Sequence, residues 1–358
     1  RVPAEHYIDP AQTRAEIDAL FHKRPLLVAL TPDLPAPGSY LTHEAEGTSL
    51  LLVRDDEGRV RTYINACRHR GARIAEGRGS KQLFTCPFHA WSYGRDGQVV
   101  SRPGSCGGFD DTGDEFAALR EIPCLEVAGM IFVLLQGDDI EAKVNALVGE
   151  ALEDLESYRF GDNIRFDGRS IERNCNYKFI LDAFTETYHI KTLHRKTVAP
   201  YYYGHPTLTD AMGPTVRIIG VRSSIDKEFA KPAADRRFLP HGTTQYLIPP
   251  NIVLVYQVDH VELWQFYPVD GAADRCRALL SLYWPAPMDD EAKRKAQFNL
   301  DVIWQVTTEE DIPQSLAIHN NLASGAIKDL VFGRNEPALI HYHQQIAKAI
   351  GSTQLCEV

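Results

Sequence analysis

Two short segments of this chain each combine a cysteine with a histidine at close spacing. Cys67 and His69 form a Cys-x-His pair, and Cys86 and His89 form a Cys-x-x-His pair after an interval of 16 residues. Thiolate and imidazole groups bind both zinc and iron, and two such pairs on adjoining loops supply the four ligands of a compact metal centre. A chance match at these offsets is expected in about one chain in a thousand. The pattern therefore predicts a metal-binding unit built on two loops.

The spacing distinguishes between two kinds of metal centre. Zinc is compatible with two cysteines and two histidines, but common zinc motifs pair cysteine with cysteine and place the histidines together. One cysteine and one histidine on each loop is instead the pattern of a Rieske [2Fe–2S] cluster, in which two thiolates hold one iron and two imidazoles hold the other. Histidine ligation raises the potential of such a cluster, which then serves as a one-electron carrier.

The two segments, Cys67-Arg-His-Arg-Gly71 and Cys86-Pro-Phe-His-Ala-Trp91, resemble the motifs of Rieske non-haem iron oxygenases, in their terminal oxygenase (alpha) component. Respiratory Rieske proteins differ because they carry an additional cysteine in each loop, where this chain has Ala72 and Phe88. Ala90 departs from the usual glycine of the oxygenases, a change expected to affect the fit of the loop more than ligation. The resemblance implies that four residues hold a [2Fe–2S] cluster: Cys67, His69, Cys86 and His89.

A second possible metal site lies further along the chain. His189 and His194 are five residues apart, and Glu186 precedes His189 by three. Two histidines and one carboxylate form the ligand set of mononuclear Fe(II) sites that keep open positions, although a histidine pair by itself is more often structural. Residues five apart on a straight helix are rotated by about 140°, so we expect a wide turn or a break between the histidines. Glu186 is expected on the same side as His189, where it can accept a hydrogen bond from the imidazole.

The segment Asn176 to His194 resembles the second motif of the same oxygenase family. The resemblance implies that His189 and His194 bind a mononuclear Fe(II), and that Glu186 links this iron to the Rieske cluster of a neighbouring subunit. Most members have Asp at that position, and Glu occurs among oxygenases of quaternary amines. Asp182 stands where many relatives have Asn and is assigned, with Glu186, to the catalytic residues.

The third ligand of the mononuclear iron is expected in the acidic cluster Thr308-Glu-Glu-Asp311. Acidic clusters are usually solvated surfaces, but the family resemblance selects Asp311, with Glu310 as the alternative. The tail at residues 332–343 also resembles the family, so the resemblance covers nearly the whole chain.

The pattern of apolar residues and turns predicts an α+β fold with two domains. The pattern predicts a small antiparallel β domain at residues 38–137 and, at residues 138–358, a domain in which a curved antiparallel sheet packs on helices. The family resemblance implies that the first is the Rieske domain, that the second is a helix-grip-like catalytic domain, and that residues 1–37 are an N-terminal helical segment packing on the catalytic domain. Strands of the last domain are expected at residues 166–175, 215–224, 244–248, 252–258, 261–267 and 277–283. Helices are expected at residues 10–21, 139–158, 179–193, 289–308 and 337–350.

Charge and cysteine content exclude several functions. The 358 residues carry a formal net charge of −10, which disfavours binding to nucleic acid or to an anionic membrane. No apolar run approaches the roughly 20 residues of a membrane span. Seven cysteines, an odd number, argue against a secreted disulfide framework, so we expect a cytoplasmic protein.

The resemblance implies a terminal oxygenase that hydroxylates a small organic substrate, with an aromatic ring as the expected class, by mono- or dioxygenation with O₂. No glycine-rich dinucleotide motif is present, so electrons must come from a separate NAD(P)H-dependent reductase or a ferredoxin. Family precedent implies a head-to-tail homotrimer. The alternatives are oxidative N- or O-demethylation or hydroxylation of a quaternary amine and, in other classes, an electron-transfer protein without oxygenase activity or a zinc-stabilised binding module.

Two surfaces are expected to serve this function. Basic residues near the cluster would meet the electron donor: Arg68, Arg70, Arg73 and Arg78. Large side chains after the iron ligands could line an apolar substrate pocket, although such residues more often fill the core: Tyr201, Tyr202, Tyr203, Leu247, Tyr256, Trp264, Phe298 and Trp304.

Overall fold

A computed structural model describes residues 1–109, 111, 113–204 and 207–352. Contacts divide the chain into two compact units, of which the smaller comprises His22–Val144 and Tyr158–Gly161. The larger unit comprises Arg1–Phe21, Asn145–Ser157 and Asp162–Val358. Within the described ranges, no helix is both long and apolar enough to cross a membrane.

The smaller unit is built from short antiparallel strands. Its central strand, Thr48–Arg54, contains four consecutive apolar residues, all of them fully buried. The turn that follows closes because the Asp55 carboxylate accepts hydrogen bonds from the backbone N–H groups of Glu57 and Arg59, as expected of aspartate in a tight turn. Three sheets result, with strand orders 121–122, 60–64, 48–54, 39–45, 78–80; 84–85, 92–93, 99–101; and 124–127, 130–133, 26–30.

The larger unit contains one seven-stranded antiparallel sheet. Its two central strands, Ile252–Tyr256 and Val261–Pro268, are rich in β-branched and aromatic residues and are almost wholly buried, which is the composition that favours a covered strand. The expected α+β class is therefore confirmed, and so are its six predicted strands. The exposed edge strand Leu208–Met212 was not predicted. The order across the sheet is 163–173, 276–285, 261–268, 252–256, 242–248, 215–221 and 208–212.

Helices pack against this sheet at both edges and at its middle. Helix Tyr177–Asp182 contacts the strands at 261–268 and 276–285, and helix Pro337–Ala349 contacts those at 208–212 and 215–221. The remaining helices of four or more residues are Glu5–Ile8, Pro10–Glu16, Asp114–Ala117, Ile140–Val148, Leu152–Ser157, Ile190–Leu193, Asp226–Phe229, Asp290–Val306 and Ile312–Ala323, with π-helical turns at Ile17–His22 and Thr307–Asp311.

The helix predicted over residues 179–193 is wrong in one respect, because it is interrupted. Asn176 caps the first segment by accepting a hydrogen bond from the Lys178 backbone N–H. This segment ends at Asp182, whose carbonyl accepts hydrogen bonds from both the backbone N–H and the hydroxyl of Thr185. Because a threonine hydroxyl competes with the helical backbone pattern, the chain leaves the helix before Glu186 and resumes it at Ile190.

Candidate metal centres and cavity

The two Cys-His loops of the smaller unit fold in the same way. In each loop the cysteine carbonyl accepts a hydrogen bond from the backbone N–H four residues later, from Gly71 to Cys67 and from Ala90 to Cys86. Gly71 has φ +77° and Ala90 has φ +59°. Both loops therefore close through a left-handed residue, which glycine adopts freely and alanine adopts at a cost of about 1 kcal/mol. This conformation explains why glycine is the usual residue where this chain has Ala90.

The four motif residues lie on these two loops. The thiols of Cys67 and Cys86 are buried, while the rings of His69 and His89 lie nearer the surface with their centroids 4.5 Å apart. The His69 Nδ1 atom is buried and has no hydrogen-bond partner among the residues that the structure describes. Unpaired buried polar atoms are rare in native proteins and point to an additional bound group. The loops thus fit a [2Fe–2S] cluster, with the thiols on one iron and the imidazoles on the other.

Tyr93 supports the Cys67 thiol directly. Its hydroxyl oxygen lies 3.2 Å from Cys67 Sγ and accepts a hydrogen bond of 3.0 Å from the Arg68 backbone N–H. Since that N–H occupies the oxygen as acceptor, the hydroxyl proton is free to point at the sulfur. Burial, followed by the hydrogen bond with Cys67, raises the pKa of Tyr93, so the hydroxyl keeps its proton.

The variant Tyr93→Phe is expected to lower the reduction potential of the cluster. A hydrogen bond to a ligating sulfur stabilises the reduced, more negative state, and hydrogen bonds to the sulfurs are among the factors that set the potential. A net value of about 1 kcal/mol for one such bond corresponds to about 40 mV for a one-electron couple. Redox titration of the purified holoprotein would measure the shift. An unchanged potential would show that the hydroxyl does not donate to Cys67.

Three side chains of the larger unit present ligand atoms to one point. His194 Nε2 lies 3.1 Å from both His189 Nε2 and Asp311 Oδ1, and the remaining pair, His189 Nε2 and Asp311 Oδ1, is 3.7 Å apart. Ligand atoms about 2.1 Å from a shared ion at right angles are about 3.0 Å apart. The buried Asp311 Oδ1 has no well-aligned hydrogen bond in the described part of the chain. These residues therefore fit a mononuclear metal ion of the two-histidine, one-carboxylate type.

The backbone explains how the three ligands meet. His189 immediately precedes the single-turn helix Ile190–Leu193, and His194 immediately follows it with φ −91° and ψ 26°. The expected break between the histidines is therefore wrong. The interruption lies before His189, and the backbone leaves the helical conformation again at His194. Asp311 ends the π-helical turn Thr307–Asp311, a feature often found at functional sites.

A carboxylate holds the outer nitrogen of each histidine. Glu186 contacts His189 Nδ1 and also accepts a hydrogen bond of 3.1 Å from the His189 backbone N–H. Glu310 lies 2.6 Å from His194 Nδ1 and accepts a second hydrogen bond from Thr197. Such carboxylates orient a ligating imidazole so that Nε2 faces the metal. Glu310, the alternative third ligand, thus contacts a histidine and lies outside the convergent set.

These contacts shift the pKa values of the groups involved. Burial raises the pKa of Glu186, but the hydrogen bond from His189 outweighs it and brings the pKa below its ordinary value. Burial lowers the pKa of His194, but Asp311 and Glu310 outweigh it and raise the pKa above its ordinary value. The carboxylates around His194 therefore favour a positive charge between the three ligand atoms, as a cation-binding site requires.

Asp182, assigned to the catalytic residues with Glu186, lies outside the convergent set. Its carboxylate accepts a hydrogen bond of 2.7 Å from the Tyr7 hydroxyl and lies 2.9 Å from His343 Nε2. Neither partner could be found from the sequence, because nothing in the local pattern at residue 7 or residue 343 connects them to residue 182.

A cavity of about 170 Å³ opens beside His189, His194 and Asp311. Its walls combine aliphatic side chains with polar ones, among them threonines, glutamines and glutamates, and Phe184 and Tyr202 are the phenylalanine and the tyrosine of the described lining. The aliphatic lining residues are Ala183, Ile190, Val198, Val221, Val255, Ile303 and Val306.

Most of the large side chains considered for this lining lie elsewhere. Of the large residues named from the sequence, Tyr202 alone is among the described residues that line this cavity. The side chains of Tyr201 and Phe298 are two-thirds exposed, and Trp264 and Trp304 stack on each other with centroids 6.3 Å apart. Neighbouring residues of a turn or helix point in different directions, so aromatic content near the ligands did not reveal which rings enter the cavity.

One end of the cavity is polar and carries a buried carboxylate, Glu262. Its oxygens contact Gln257 Nε2 at 3.0 Å, His260 Nε2 at 3.2 Å and Trp264 Nε1 at 3.0 Å. Burial lowers the pKa of His260, but hydrogen bonds to Asp259 and Glu262 outweigh it and raise the pKa to about 9. No lysine or arginine is among the described residues that line this cavity. No local sequence pattern indicates this polar end.

Two family models match the chain. The model described as "Ring hydroxylating alpha subunit (catalytic domain)" matches residues 160–352, and the model described as "Rieske [2Fe-2S] domain" matches residues 24–109. The first region contains the three convergent ligands, and the second contains both Cys-His pairs.

Curated relatives match over about half of their length. The glycine betaine monooxygenase oxygenase subunit of Chromohalobacter salexigens is 28% identical over 195 residues, which are 54% of this chain and 43% of that protein. The carnitine monooxygenase oxygenase subunit of Escherichia coli K12 is 29% identical over 195 residues, 54% of this chain and 52% of that protein.

Solved structures share the fold across nearly the whole chain. A quaternary ammonium Rieske monooxygenase superposes with a TM-score of 0.82 at 18% identity and covers 97% of this chain and 94% of its own. Naphthalene 1,2-dioxygenase from Rhodococcus sp. superposes with a TM-score of 0.75 at 16% identity and covers 98% and 94%. The two-domain fold expected from the motifs is therefore confirmed.

Proposed function

This chain belongs to the family of ring-hydroxylating alpha subunits, and on that premise we propose that it is the terminal oxygenase of a Rieske system. The observation that carries the proposal is the convergence of His189, His194 and Asp311 beside a cavity. An electron carrier needs the Cys-His loops alone. A second metal site that opens on an enclosed space is expected of an enzyme that acts on a substrate.

The residues of the site have distinct tasks in this proposal. The chemistry that Fe(II) supplies when bound by His189, His194 and Asp311 is the activation of O₂ with electrons from the cluster. Glu186 and Glu310 hold the outer protons of the two imidazoles and keep the Nε2 atoms directed at the metal. The aliphatic walls hold the apolar part of a substrate and displace water from the site.

The proposal includes partners. A reductase or a ferredoxin supplies electrons in the cytoplasm, and a head-to-tail trimer brings the cluster of one subunit to Glu186 of the next. The basic patch expected around the cluster is smaller than predicted, because Arg73 pairs with Glu44 and Arg78 with Asp33. Arg68 and Arg70 are the two that support docking of an acidic donor.

The substrate is an organic molecule that presents an apolar part to the metal, with an aromatic ring as the leading class. The aliphatic walls around the three ligands support this class. A quaternary amine is the second candidate, favoured by the buried Glu262 carboxylate and by a described cavity lining without lysine or arginine. Curated relatives that act on glycine betaine and carnitine support the same candidate.

Metal content and substrate-dependent oxidation together test the proposal. The purified protein is expected to hold three irons per chain, two of them in a cluster with the spectrum of histidine ligation. Reduced protein would then be mixed with air and one candidate compound at a time, including naphthalene, glycine betaine and L-carnitine. An active substrate should accelerate cluster oxidation and yield an oxygenated product. Two irons per chain would support an electron carrier, and zinc without iron a binding module.

A further inference from the structure

A buried chain of hydrogen bonds leads from the N-terminal segment to Asp182. His6 Nε2 lies 2.8 Å from His343 Nδ1, and His343 Nε2 lies 2.9 Å from Asp182 Oδ1. Tyr7 donates its hydroxyl to the other Asp182 oxygen at 2.7 Å. His6, Tyr7 and His343 are buried, whereas Gln12, whose amide nitrogen is 3.5 Å from His6 Nδ1, is half-buried. The hydrogen-bonded chain thus runs from half-buried Gln12 inward to Asp182.

Only one arrangement of protons satisfies these contacts when Asp182 is ionised and both histidines are neutral. His343 must donate from Nε2 to the carboxylate, which leaves its Nδ1 as an acceptor. His6 must then donate from Nε2 and accept at Nδ1, where the Gln12 amide donates. Gln12 is oriented for this because it also donates to Glu16 Oε1 at 2.9 Å.

The surrounding residues keep the hydrogen-bonded chain in this arrangement of protons. Burial, the neighbouring His343 and Lys178 lower the pKa of His6 well below its ordinary value, so the ring stays neutral. Burial and Asp182 raise the pKa of Tyr7, so the hydroxyl remains a donor. The Lys178 ammonium is itself paired at 2.7 Å with Glu16 in the interior.

Asp182 immediately precedes two residues that line the cavity. It is the last residue of helix Tyr177–Asp182, and the next two residues, Ala183 and Phe184, line the cavity. Glu186, four residues after Asp182, also lines the cavity. Asp182 is therefore the inner end of the buried chain and lies near the carboxylate that holds His189.

We propose that His6, His343 and Asp182 form a proton relay that serves the oxygenase site. A proton from solvent enters at His6 Nδ1 in place of the Gln12 amide contact, the His6 Nε2 proton moves to His343 Nδ1, and the His343 Nε2 proton passes to Asp182. One proton enters, one arrives at the carboxylate, and each histidine changes from the Nε2-protonated to the Nδ1-protonated tautomer. Asp182 then releases its proton toward the cavity that the next two residues line. The proposal rests on the proposed function, because insertion of one atom of O₂ with two electrons consumes two protons and releases water.

Nuclear magnetic resonance of histidine-labelled protein without metals tests the arrangement of protons apart from activity. In the wild type, the ¹⁵N shifts are expected to place the protons of His6 and His343 on Nε2. The variant Asp182→Asn presents an amide donor to His343 and should move both protons to Nδ1. Asp235→Asn, at an exposed position, should change neither ring. Unchanged tautomers in Asp182→Asn would overturn the relay. The signals of each ring are assigned by their disappearance in the variants His6→Gln and His343→Gln.

Product formation in a single turnover of reduced holoenzyme tests the transfer itself. Asp182→Asn and His6→Gln are expected to slow it by about 100-fold and to change its solvent deuterium isotope effect, while Asp235→Asn should match the wild type. Reversed tautomers with an unchanged rate and isotope effect would overturn the relay while leaving the oxygenase intact. If no compound is oxygenated by the wild type, the proposed function fails, and the tautomers still report on the hydrogen-bonded chain.

Discussion

Replacement of Asp311 by alanine is expected to remove the mononuclear iron and to leave the [2Fe–2S] cluster in place. Asp311 supplies the single carboxylate oxygen of the convergent set, 3.1 Å from His194 Nε2. Without it, two neutral imidazoles remain. They offer a divalent cation neither a third ligand nor a negative charge that compensates its own, so the iron is lost. Iron content should fall from three to two per chain, and product formation should cease. Iron analysis together with the absorption spectrum of the cluster measures both centres in one sample.

Two neighbouring glutamates serve as matched controls. Glu310 contacts His194 Nδ1 rather than the metal point, so Glu310→Gln is expected to weaken iron affinity by about 10- to 100-fold without abolishing binding. Glu309 is exposed and accepts a hydrogen bond from Gln305, so Glu309→Gln should bind iron as the wild type does. Loss of iron in Glu310→Gln with retention in Asp311→Ala would reverse the assignment of the third ligand.

Replacement of Glu186 by alanine is expected to leave both metal centres occupied and to slow electron transfer between them. Glu186 contacts the outer nitrogen of His189 and is the residue proposed to reach the cluster of the next subunit. Its loss removes this connection without removing a ligand. Oxidation of the reduced cluster in the presence of substrate and O₂ should slow by about 10- to 100-fold, as followed by stopped-flow absorbance. Iron should remain near three per chain when the metal is in excess.

The variant Glu186→Gln distinguishes the effect of the hydrogen bond to His189 from the effect of the negative charge of Glu186. The amide oxygen of glutamine can still accept the His189 Nδ1 proton, so the orientation of the ring should persist while the negative charge is lost. If the hydrogen bond carries the connection, this variant should retain most of the wild-type rate. Wild-type turnover in Glu186→Ala would refute the linking role, since no contact then remains at that position.

Much of the fold follows from local pattern. The strands at residues 252–256 and 261–268 are nearly continuous runs of apolar residues, and hydrophobic burial makes such runs pair at the centre of a sheet. The strand Leu208–Met212 was missed because it is an edge strand with a mostly exposed surface, so its pattern resembles that of a loop. The interruption after Asp182 was missed because the hydrogen bonds of the Thr185 side chain, not its helix propensity, end the helix.

In the candidate site, too, some residues could be recognised from local spacing and others could not. Cys67, His69, Cys86 and His89 could be recognised as a set because all four lie within two short loops, where spacing along the chain determines spacing in the structure. His189 and His194 could be paired for the same reason. Asp311 required the resemblance to a family, because it is more than a hundred positions away and only the packing of the turn Thr307–Asp311 brings it to the histidines.

The amino-acid sequence by itself thus determined the ligand pairs, the α+β class and the family, since these depend on residue type and on short-range order. The resemblance to the family pointed to Asp311, and the local spacing pointed to the contact of Glu186 with His189. Tertiary structure alone decided that Glu310 lies behind His194 and that Glu262 lies in the cavity wall. It also decided that Asp182 meets Tyr7 and His343. Carboxylates have similar local patterns wherever they occur, and what distinguishes them is the partner that long-range packing places within hydrogen-bonding distance.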